Sequence, residues 1–505
     1  MIRVRTAIGC ANALAPARIP RQNKPRVNDN RVECIMKRTL KTVALGLCLA
    51  SLIWTTGCQT TQSDPENARP SAQPRAPKNI IILIADGWGY NHVEAADLYQ
   101  FGGSGRQAYE GFPVRLGVST CPLDGTYDPQ RAWSEFAYVN ENATDSAAAA
   151  TQIATGVRTY NAAIGVGPDK QRVTNVGERA EEIGRATGVI TTVEFSHATP
   201  AGFAAHNEAR DNYEQIAREM INDSRLDVIM GAGHPWYDDN GTLVAAISQI
   251  AAVGENGAIT TTGEYQYVGG AETWLRLLVG AAGGDADGDG TADPWSLVQT
   301  RGQFQALMAG PTPKRVIGVA EVHGTLNQGR AGDANAAPYA VARTESVPTL
   351  AEMTSAALNV LDEDPDGFFL MVEGGAVDWA SHGNQTGRML EEMADFGRAV
   401  EAVVEWVERE SSWDDTLVIV TGDHECGYPT GPGSDPDRKP LVNNGKGNVP
   451  GLEWHSDGHT NNLIPLFAKG AGAETLRTLA DETDPKRGPY IHNTEIAKAL
   501  FALME

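Results

Sequence analysis

The chain has 505 residues, 41% hydrophobic content and a formal charge of −23. A chain of this length can bury a large core, as one α/β domain with insertions or as two domains. The acidic charge argues against a nucleic-acid groove, because such grooves cluster Lys and Arg against phosphates.

The amino terminus has the composition of a targeting segment. Residues 1–57 hold 10 Lys or Arg against 2 Asp or Glu. From Met36 a basic start precedes an apolar stretch at 43–54, which is too short to span a bilayer. Because residues 1–35 are arginine-rich, we expect translation to begin at Met36.

A cysteine follows this segment, at the end of "TTGC". The stretch resembles a bacterial lipobox, with Thr55 where leucine is usual, so we expect residues 1–57 to be a signal segment and Cys58 to carry a lipid anchor. An ordinary cleaved signal with an incidental cysteine is the alternative. Both predict export, to the periplasm or, as a lipoprotein, to the outer membrane or cell surface, which Gln59 favours. Residues 58–78 should be a disordered tether.

The body, residues 79–505, alternates apolar runs with helical patterns. Continuous apolar runs are typical of strands buried on both faces of a parallel sheet. The runs lie at 78–86, 186–195, 225–233, 367–375, 415–424 and 462–470, and helical patterns at 346–361, 386–410 and 493–504. The alternation predicts an α/β/α sandwich, a mostly parallel central sheet with helices on both faces, with an accessory region inserted at about 224–345.

The stretch "TDSAAAATQIATG" at 144–156 places Asp145 and Ser146 at the head of an alanine-rich helix. Either residue could cap that helix, because a side-chain oxygen can accept a bond from the N–H groups of the first turn. The local sequence favours a capping role for Ser146, so any functional role depends on the rest of the chain.

Carboxylates and a histidine lie at the ends of several of the apolar runs. Asp86 is the last residue of the first run, Glu373 lies near the end of the fourth, and Asp423 and His424 end the fifth. In an open α/β sheet, ligands bind outside the carboxyl ends of the strands. We therefore expect these side chains to converge there on one crevice.

Two further stretches add ligands of the same kinds. "EGGAVDWASH" places Asp378 and His382 four residues apart, and "WHSDGHT" supplies His455 and His459. A mixed carboxylate and imidazole set suits zinc, with magnesium where the ligands are all oxygen. Five other histidines are interpreted as structural or surface residues: His92, His206, His234, His323 and His492.

An acidic, glycine-rich stretch, "GGDADGDGTADPW", lies in the accessory region. Asp285, Asp287, Asp289 and Asp293 match positions 1, 3, 5 and 9 of a calcium loop, but Ser296 stands where the bidentate glutamate belongs. Calcium binding is the favoured prediction, and an acidic surface turn is the alternative.

Six stretches together resemble the alkaline phosphatase family, from about Asn79 to the carboxyl end. They are "IADGWG", "TDSAAAATQIATG", "HATPAGFAAHNEAR", "GFFLMVEGGAVDWASH", "TGDHE" and "HTNNLIPLFAKG". The resemblance implies hydrolysis of small phosphate monoesters with two zinc ions and one magnesium ion. The implied ligands are Asp378, His382 and His459 for one zinc, Asp86, Asp423 and His424 for the second, and Asp86, Thr199 and Glu373 for magnesium, with His197 nearby.

The resemblance also implies catalytic roles. Ser146 would be the nucleophile, Arg210 the phosphate clamp and Asp145 the residue that orients Arg210. His197 and Trp379 replace an aspartate and a lysine of the best-studied bacterial member. Because tryptophan lacks a lysine's charge, we expect the histidine to be more easily protonated than it would be beside a lysine. Family members are often dimers, so a homodimer is a further expectation.

Several alternatives stay open in the sequence. A phosphodiesterase or sulfatase of the same superfamily would use similar residues. A surface lipoprotein that only captures phosphate compounds or calcium would need no nucleophile. Within the body, Cys121 and Cys426 could form a disulfide after export or remain as two buried thiols.

Overall fold

The computed structural model describes residues 76–244 and 263–505. The predicted signal segment, the lipid-anchor residue Cys58 and the tether up to residue 75 lie outside these ranges. Within the ranges, no helix combines the length and the apolar character needed to cross a membrane.

The body contains one large sheet of eleven strands and two short two-stranded ladders. The strands, in chain order, are β1 (Asn79–Ala85), β2 (Val114–Ser119), β3 (Ala186–Glu194), β4 (Val228–Ala232), β5 (Ser296–Val298), β6 (Val316–Val319), β7 (Phe368–Gly374), β8 (Thr416–Gly422), β9 (Glu425–Cys426), β10 (Pro429–Thr430), β11 (Glu453–Trp454), β12 (His459–Thr460), β13 (Ile464–Gly470), β14 (Glu482–Asp484) and β15 (Gly488–His492). Strands β9 and β12 form one short antiparallel ladder and β10 and β11 another, and the others belong to the large sheet.

The middle of the large sheet is parallel. Its strand order is β14-β15-β2-β13-β8-β1-β7-β3-β4-β6-β5. All neighbours from β8 to β5 in this order are parallel, whereas β13 runs antiparallel to both β8 and β2. Every residue of β1, β7 and β8 is buried. The prediction of a mostly parallel sheet is confirmed, and each of the six predicted apolar runs contains a strand.

Helices cover both faces of this sheet. They are α1 (Tyr90–Phe101), α2 (Pro129–Ser134), α3 (Ser146–Thr155), α4 (Val176–Glu182), α5 (Ala198–Gly202), α6 (Tyr213–Asn222), α7 (Ala271–Leu278), α8 (Arg301–Leu307), α9 (Leu350–Leu361), α10 (Ala376–His382), α11 (Thr386–Glu410), α12 (Glu474–Leu479) and α13 (Thr494–Leu503). Adjacent residues of a strand point to opposite faces, and in β7 Phe368 packs on Trp406 of α11 while Phe369 stacks on Phe203 beside α5. The predicted α/β/α sandwich is therefore present.

The region predicted as an accessory insertion, residues 224–345, supplies β4, β6 and β5. These strands continue the parallel part of the large sheet to one edge. The predicted boundaries of the insertion stay a prediction.

Candidate active site

The register of the central strands brings two carboxylates together. Ala85 of β1 lies opposite Gly422 of β8, so Asp86 and Asp423, the next residue of each strand, leave the sheet side by side. With His424 they form the Asp86 cluster, whose side chains are fully buried and whose ligand atoms lie within 4.8 Å of one another. The His424 Nε2 atom is 3.0 Å from Asp423 Oδ2 and 3.6 Å from Asp86 Oδ1.

A second group, the Asp378 cluster, contains Asp378, His382, Cys426 and His459, again within 4.8 Å of one another. Asp378 and His382 share one face of α10 because four residues separate them. The two Nε2 atoms of His382 and His459 are 2.9 Å apart. Each lies beside the Asp378 carboxylate, at 3.3 Å and 3.4 Å respectively.

Backbone carbonyls orient both imidazoles of the Asp378 cluster. The Nδ1 atom of His459 contacts the Thr144 carbonyl at 2.8 Å, and that of His382 contacts the Asp457 carbonyl. A ring whose Nδ1–H is donated in this way presents the lone pair of Nε2 to a metal. The side chain of His382 is 41% exposed, so this cluster opens toward solvent.

Gly87 joins the two clusters. Its N–H donates to Asp423 Oδ1 at 3.0 Å, and its carbonyl accepts from the Cys426 N–H at 2.9 Å. Its φ is +75°, and a Cβ at this position would lie 2.6 Å from the Cα atom of Asp378. A glycine is therefore required where the turn after β1 approaches α10.

Asp145 caps α3, and Ser146 is the first residue of that helix. One Asp145 oxygen accepts from the Ala148 N–H at 2.9 Å, so the hydroxyl of Ser146 is not needed for capping. Ser146 is 2% exposed, and its Oγ atom lies 3.1 Å from His424 Nε2 and 3.5 Å from Asp86 Oδ1. The hydroxyl thus faces the Asp86 cluster.

Arg210 lies beside the same helix terminus. Its Nη1 donates to Asp145 Oδ2 at 3.2 Å, and the same oxygen accepts from the Ala162 N–H at 2.9 Å. Its Nη2 lies 3.2 Å from His197 Nε2. Asp145 therefore caps the helix with one oxygen and orients Arg210 with the other.

Glu373 lies in β7, which pairs with β1 on the side opposite β8. In the sheet it is opposite Ile84 of β1 and Thr191 of β3, and Thr191 donates a short hydrogen bond to its Oε2 atom. Burial raises the pKa of Glu373 to about 8. Burial also raises the pKa of Asp86 well above its usual range, together with the charges of neighbouring carboxylates.

Unsatisfied polar atoms concentrate at this end of the sheet. Four buried atoms near Asp86 have no hydrogen-bond partner: Asp86 Oδ2, His197 Nδ1, Thr199 Oγ1 and Glu373 Oε1. Carboxylates packed at this density repel one another unless a cation or protons neutralise them. The donor set therefore fits bound divalent cations.

The imidazole of His197 is neutral near pH 7. Burial and the charge of Arg210 lower the pKa of His197 to about 3. The ring packs edge-on against Trp379 at 5.8 Å and stacks on Tyr213 at 6.3 Å. The arginine, rather than the absent lysine, sets the local charge.

The acidic loop only partly matches its prediction. Asp285, Asp287 and Asp289 lie within ligand distance of one another and are exposed. Asp293 is outside that group, because its Oδ2 accepts from the Ala286 N–H at 3.0 Å and its Oδ1 faces Lys314 at 3.5 Å. Lys314 also contacts Asp287, so a cation of the protein already lies beside these carboxylates.

Histidines outside the two clusters have other partners. His455 contacts Thr430 at 2.6 Å, and His92 and His234 are buried against Ser381 and Gln299. None of the five histidines interpreted as structural or surface residues belongs to a metal-ligand group among the described residues. Cys121 and Cys426 are free, buried thiols.

Sequence reasoning missed Cys426, Gly87 and Thr191. No spacing rule connects Cys426 to Asp378, because β9 brings them together only in the folded chain. The glycines of "DGWG" carried a usable signal: Gly87 allows the approach of Asp378, and a Cβ on Gly89 would collide with Glu425.

The sequence of the chain is similar to those of known proteins. The sequence model of the alkaline phosphatase family matches residues 77–255 and 295–450. Alkaline phosphatase H of Pseudomonas aeruginosa is 30% identical over 449 residues, covering 85% of this chain and 88% of that protein. Alkaline phosphatase 4 of Bacillus subtilis is 29% identical over 400 residues, covering 78% of this chain and 70% of that protein.

Solved structures agree in fold. The alkaline phosphatase from the Antarctic bacterium TAB5 superposes with a TM-score of 0.55 at 23% identity, covering 86% of this chain and 99% of that one. A variant of that enzyme with glutamate in place of a histidine has magnesium bound in its M3 site. The family match extends over most of the body described above, and the chain therefore belongs to the alkaline phosphatase family and is a phosphoric monoester hydrolase.

Proposed function

We propose that this enzyme hydrolyses small phosphate monoesters through a phosphoseryl intermediate on Ser146. The observation that carries the proposal is the position of the Ser146 hydroxyl, 3.1 Å from His424 Nε2 and beside Asp86. Because Asp145 caps α3, that hydroxyl is free for chemistry. A phosphate approaching it also meets the amino terminus of a helix, which favours anions.

Two zinc ions fit the two clusters. Asp378, His382 and His459 would hold the first, and Asp86, Asp423 and His424 the second. Both sets combine imidazole and carboxylate, as zinc sites do. When bound, two such ions supply charge that favours ionisation of the serine hydroxyl and of water and that stabilises the leaving oxygen.

The protein groups then perform a double displacement. The Ser146 Oγ attacks phosphorus, a new Oγ–P bond forms, and the bond from phosphorus to the ester oxygen breaks to release the alcohol. Water then cleaves the Oγ–P bond, which releases inorganic phosphate and restores the serine hydroxyl. Asp145 holds Arg210 in place so that its planar guanidinium can bind two phosphate oxygens.

Magnesium fits a third position. Asp86, Thr199 and Glu373 supply oxygen atoms, and three of these lack hydrogen-bond partners. Magnesium prefers oxygen ligands and retains several waters. The TAB5 variant with bound magnesium supports a metal of this kind in the family.

Trapping the intermediate tests this proposal. Enzyme mixed with a 32P-labelled monoester and quenched in acid should retain label, and Ser146→Ala should retain none while still binding phosphate. Ser134→Ala, which alters an exposed helical serine, is the matched control and should label as wild type does. Label or turnover above a tenth of the wild-type level in Ser146→Ala would reject the nucleophile.

Substrate class can be tested with the same preparations. A dianionic monoester offers Arg210 one more charged oxygen than a diester does, so monoesters should react faster than diesters and sulfate esters. A faster rate on either alternative would contradict the assignment of Arg210 as a monoester clamp.

We propose export and a lipid anchor at Cys58 from the lipobox-like "TTGC" alone. Mass spectrometry of the mature amino terminus tests this, with Cys58→Ser as the comparison. An unmodified Cys58 in correctly processed wild type would contradict the anchor.

A further inference from the structure

A cationic cavity is lined in part by Glu425 and Tyr428, which follow Asp423 and His424 in the chain. Its volume is about 200 Å³, and none of the proposed zinc, magnesium or phosphate ligands lines it. The residues that matter are aromatic or cationic: Tyr90, Trp133, Tyr428, Arg438, Lys439 and Arg487. We call it the Arg438 cavity. Three cationic side chains thus line one cavity of a chain whose formal charge is −23.

Aromatic rings hold the two guanidiniums. The Arg487 guanidinium lies 3.8 Å from the Tyr90 ring centroid and 5.6 Å from that of Trp133. The Arg438 guanidinium lies 5.3 Å from the same Trp133 ring and 5.6 Å from that of Tyr428. Rings position a guanidinium without neutralising its charge. Within the described part of the chain, neither arginine forms an ion pair with a carboxylate.

Glu425 lines the cavity, and the Asp484 carboxylate accepts a hydrogen bond from Trp133 of the lining. Asp484 accepts from the Tyr127 hydroxyl at 2.8 Å, from the Trp133 indole N–H at 2.9 Å and from the backbone N–H groups of residues 486 and 487. Glu425 accepts from the Thr460 hydroxyl at 2.9 Å and from the Asn462 amide. Both arginines act electrostatically on Glu425, but three cationic side chains line the cavity against this one carboxylate.

Two buried donors in the cavity lack a hydrogen-bond partner of normal length. The Tyr428 side chain is 2% exposed, and its hydroxyl faces the Arg438 guanidinium without forming a hydrogen bond of normal length. The Nη2 atom of Arg438 is also buried without a hydrogen-bond partner. A buried donor left in this state costs about 1–3 kcal/mol, which a ligand that accepts hydrogen bonds would recover. The arginine Nη2 can only donate and the tyrosine hydroxyl can donate, so a ligand that accepts hydrogen bonds matches both groups.

We propose that the Arg438 cavity binds a small oxyanion, with inorganic phosphate, the product of this enzyme, as a member of the class. A cavity of this size is below the roughly 300–1,000 Å³ of pockets for drug-sized ligands, which favours a compact ion. Guanidinium and ammonium groups suit a multiply charged oxyanion because each makes charge-assisted hydrogen bonds. The site is separate from Ser146 and Arg210, so its occupancy and the catalytic reaction can be measured independently.

Counting bound phosphate tests the proposal. Equilibrium dialysis of zinc-loaded enzyme against labelled phosphate should give two ions per chain, one at the reaction centre and one in the Arg438 cavity. The double variant Arg438→Gln with Arg487→Gln should bind one, with kcat and KM for a monoester unchanged. Arg409→Gln, which removes an exposed arginine elsewhere, should still bind two.

A milder variant covers the case in which the double variant fails to fold. Tyr428→Phe keeps every charge and ring, and it should weaken only the second phosphate, by about tenfold. A single phosphate per wild-type chain would overturn the proposal, and so would two phosphates in the double variant. If wild type binds one phosphate and the double variant changes the oligomeric mass, the cavity is a subunit contact and the proposal is wrong.

Discussion

Replacing Gly87 with alanine should damage the reaction centre far more than it damages the fold. The left-handed φ of +75° costs a non-glycine residue about 1–2 kcal/mol. The new methyl group would also lie 2.6 Å from the Cα atom of Asp378, a backbone atom that cannot rotate away. Overpacking of this kind costs about 1–3 kcal/mol, so the unfolding free energy should fall by roughly 2–5 kcal/mol.

Gly105 provides a matched control. Its φ is +74°, and a Cβ there would meet no atom within 4 Å. Gly105→Ala should therefore show the backbone cost alone, about 1–2 kcal/mol, with normal turnover. The difference in unfolding free energy between the two variants therefore measures the cost of displacing Asp378.

That displacement should appear as lost metal and lost turnover. Gly87 holds Asp423 through its N–H and Cys426 through its carbonyl, so a shift of this turn changes the spacing of both clusters. Misplacement of catalytic groups by 1 Å can cost about 100-fold in rate. Urea unfolding, zinc content and turnover of the three proteins provide the assay. Gly87→Ala with two zinc ions per chain and more than half of wild-type turnover would refute the reasoning.

Three further predictions use single side chains. Asp145→Asn keeps the helix cap but loses the charge that holds Arg210, so competitive inhibition by phosphate should weaken by roughly 3–10-fold, and an unchanged inhibition constant would contradict that role. Burial lowers the pKa of His206, but Glu178 and Glu219 outweigh burial and raise it to about 9. The stability that His206 contributes is complete below its ordinary pKa of 6.5 and is lost as pH rises through about 9. Over this pH interval the unfolding free energy of wild type, measured with urea, should therefore fall by on the order of 1–2 kcal/mol more than that of His206→Gln. Calcium should raise the melting temperature of zinc-loaded wild type but not of Asp287→Asn, and equal melting temperatures with and without calcium in wild type would count against the loop.

The sequence predicts the central strands better than the edges of the sheet. β1, β7 and β8 are buried on both faces, so their apolar runs are unbroken and easily recognised. β14 and β5 have three residues each and partly exposed side chains, which leaves no periodic signal. The reversed direction of β13 is equally hidden, because alternation along a strand is the same in parallel and antiparallel ladders.

The candidate site could likewise be predicted only in part from the sequence. Asp378 and His382 could be paired from the sequence, because helical spacing places them on one face. Cys426 could not, since its contact with Asp378 depends on how the chain turns after β8. The local sequence alone does not decide whether Asp145 or Ser146 caps the helix, because both are good caps. The hydrogen bond from the Ala148 N–H assigns capping to Asp145.

The last prediction concerns His197 and the magnesium requirement of the enzyme. Its Nε2 accepts from Arg210, and its pKa of about 3 keeps the ring neutral, so the remaining proton lies on Nδ1. A protonated Nδ1 can donate to a water on magnesium but cannot bind the metal itself. Wild type should therefore need added magnesium at saturating zinc, and that need should not change as pH falls through 6.5, the ordinary pKa of histidine. His197→Asp adds a charged oxygen and should reach full turnover at lower magnesium, whereas the neutral His197→Asn should improve less. Full activity of wild type and His197→Asp without added magnesium, or a magnesium requirement of wild type that rises steeply below pH 6.5, would show that His197 does not act in this way.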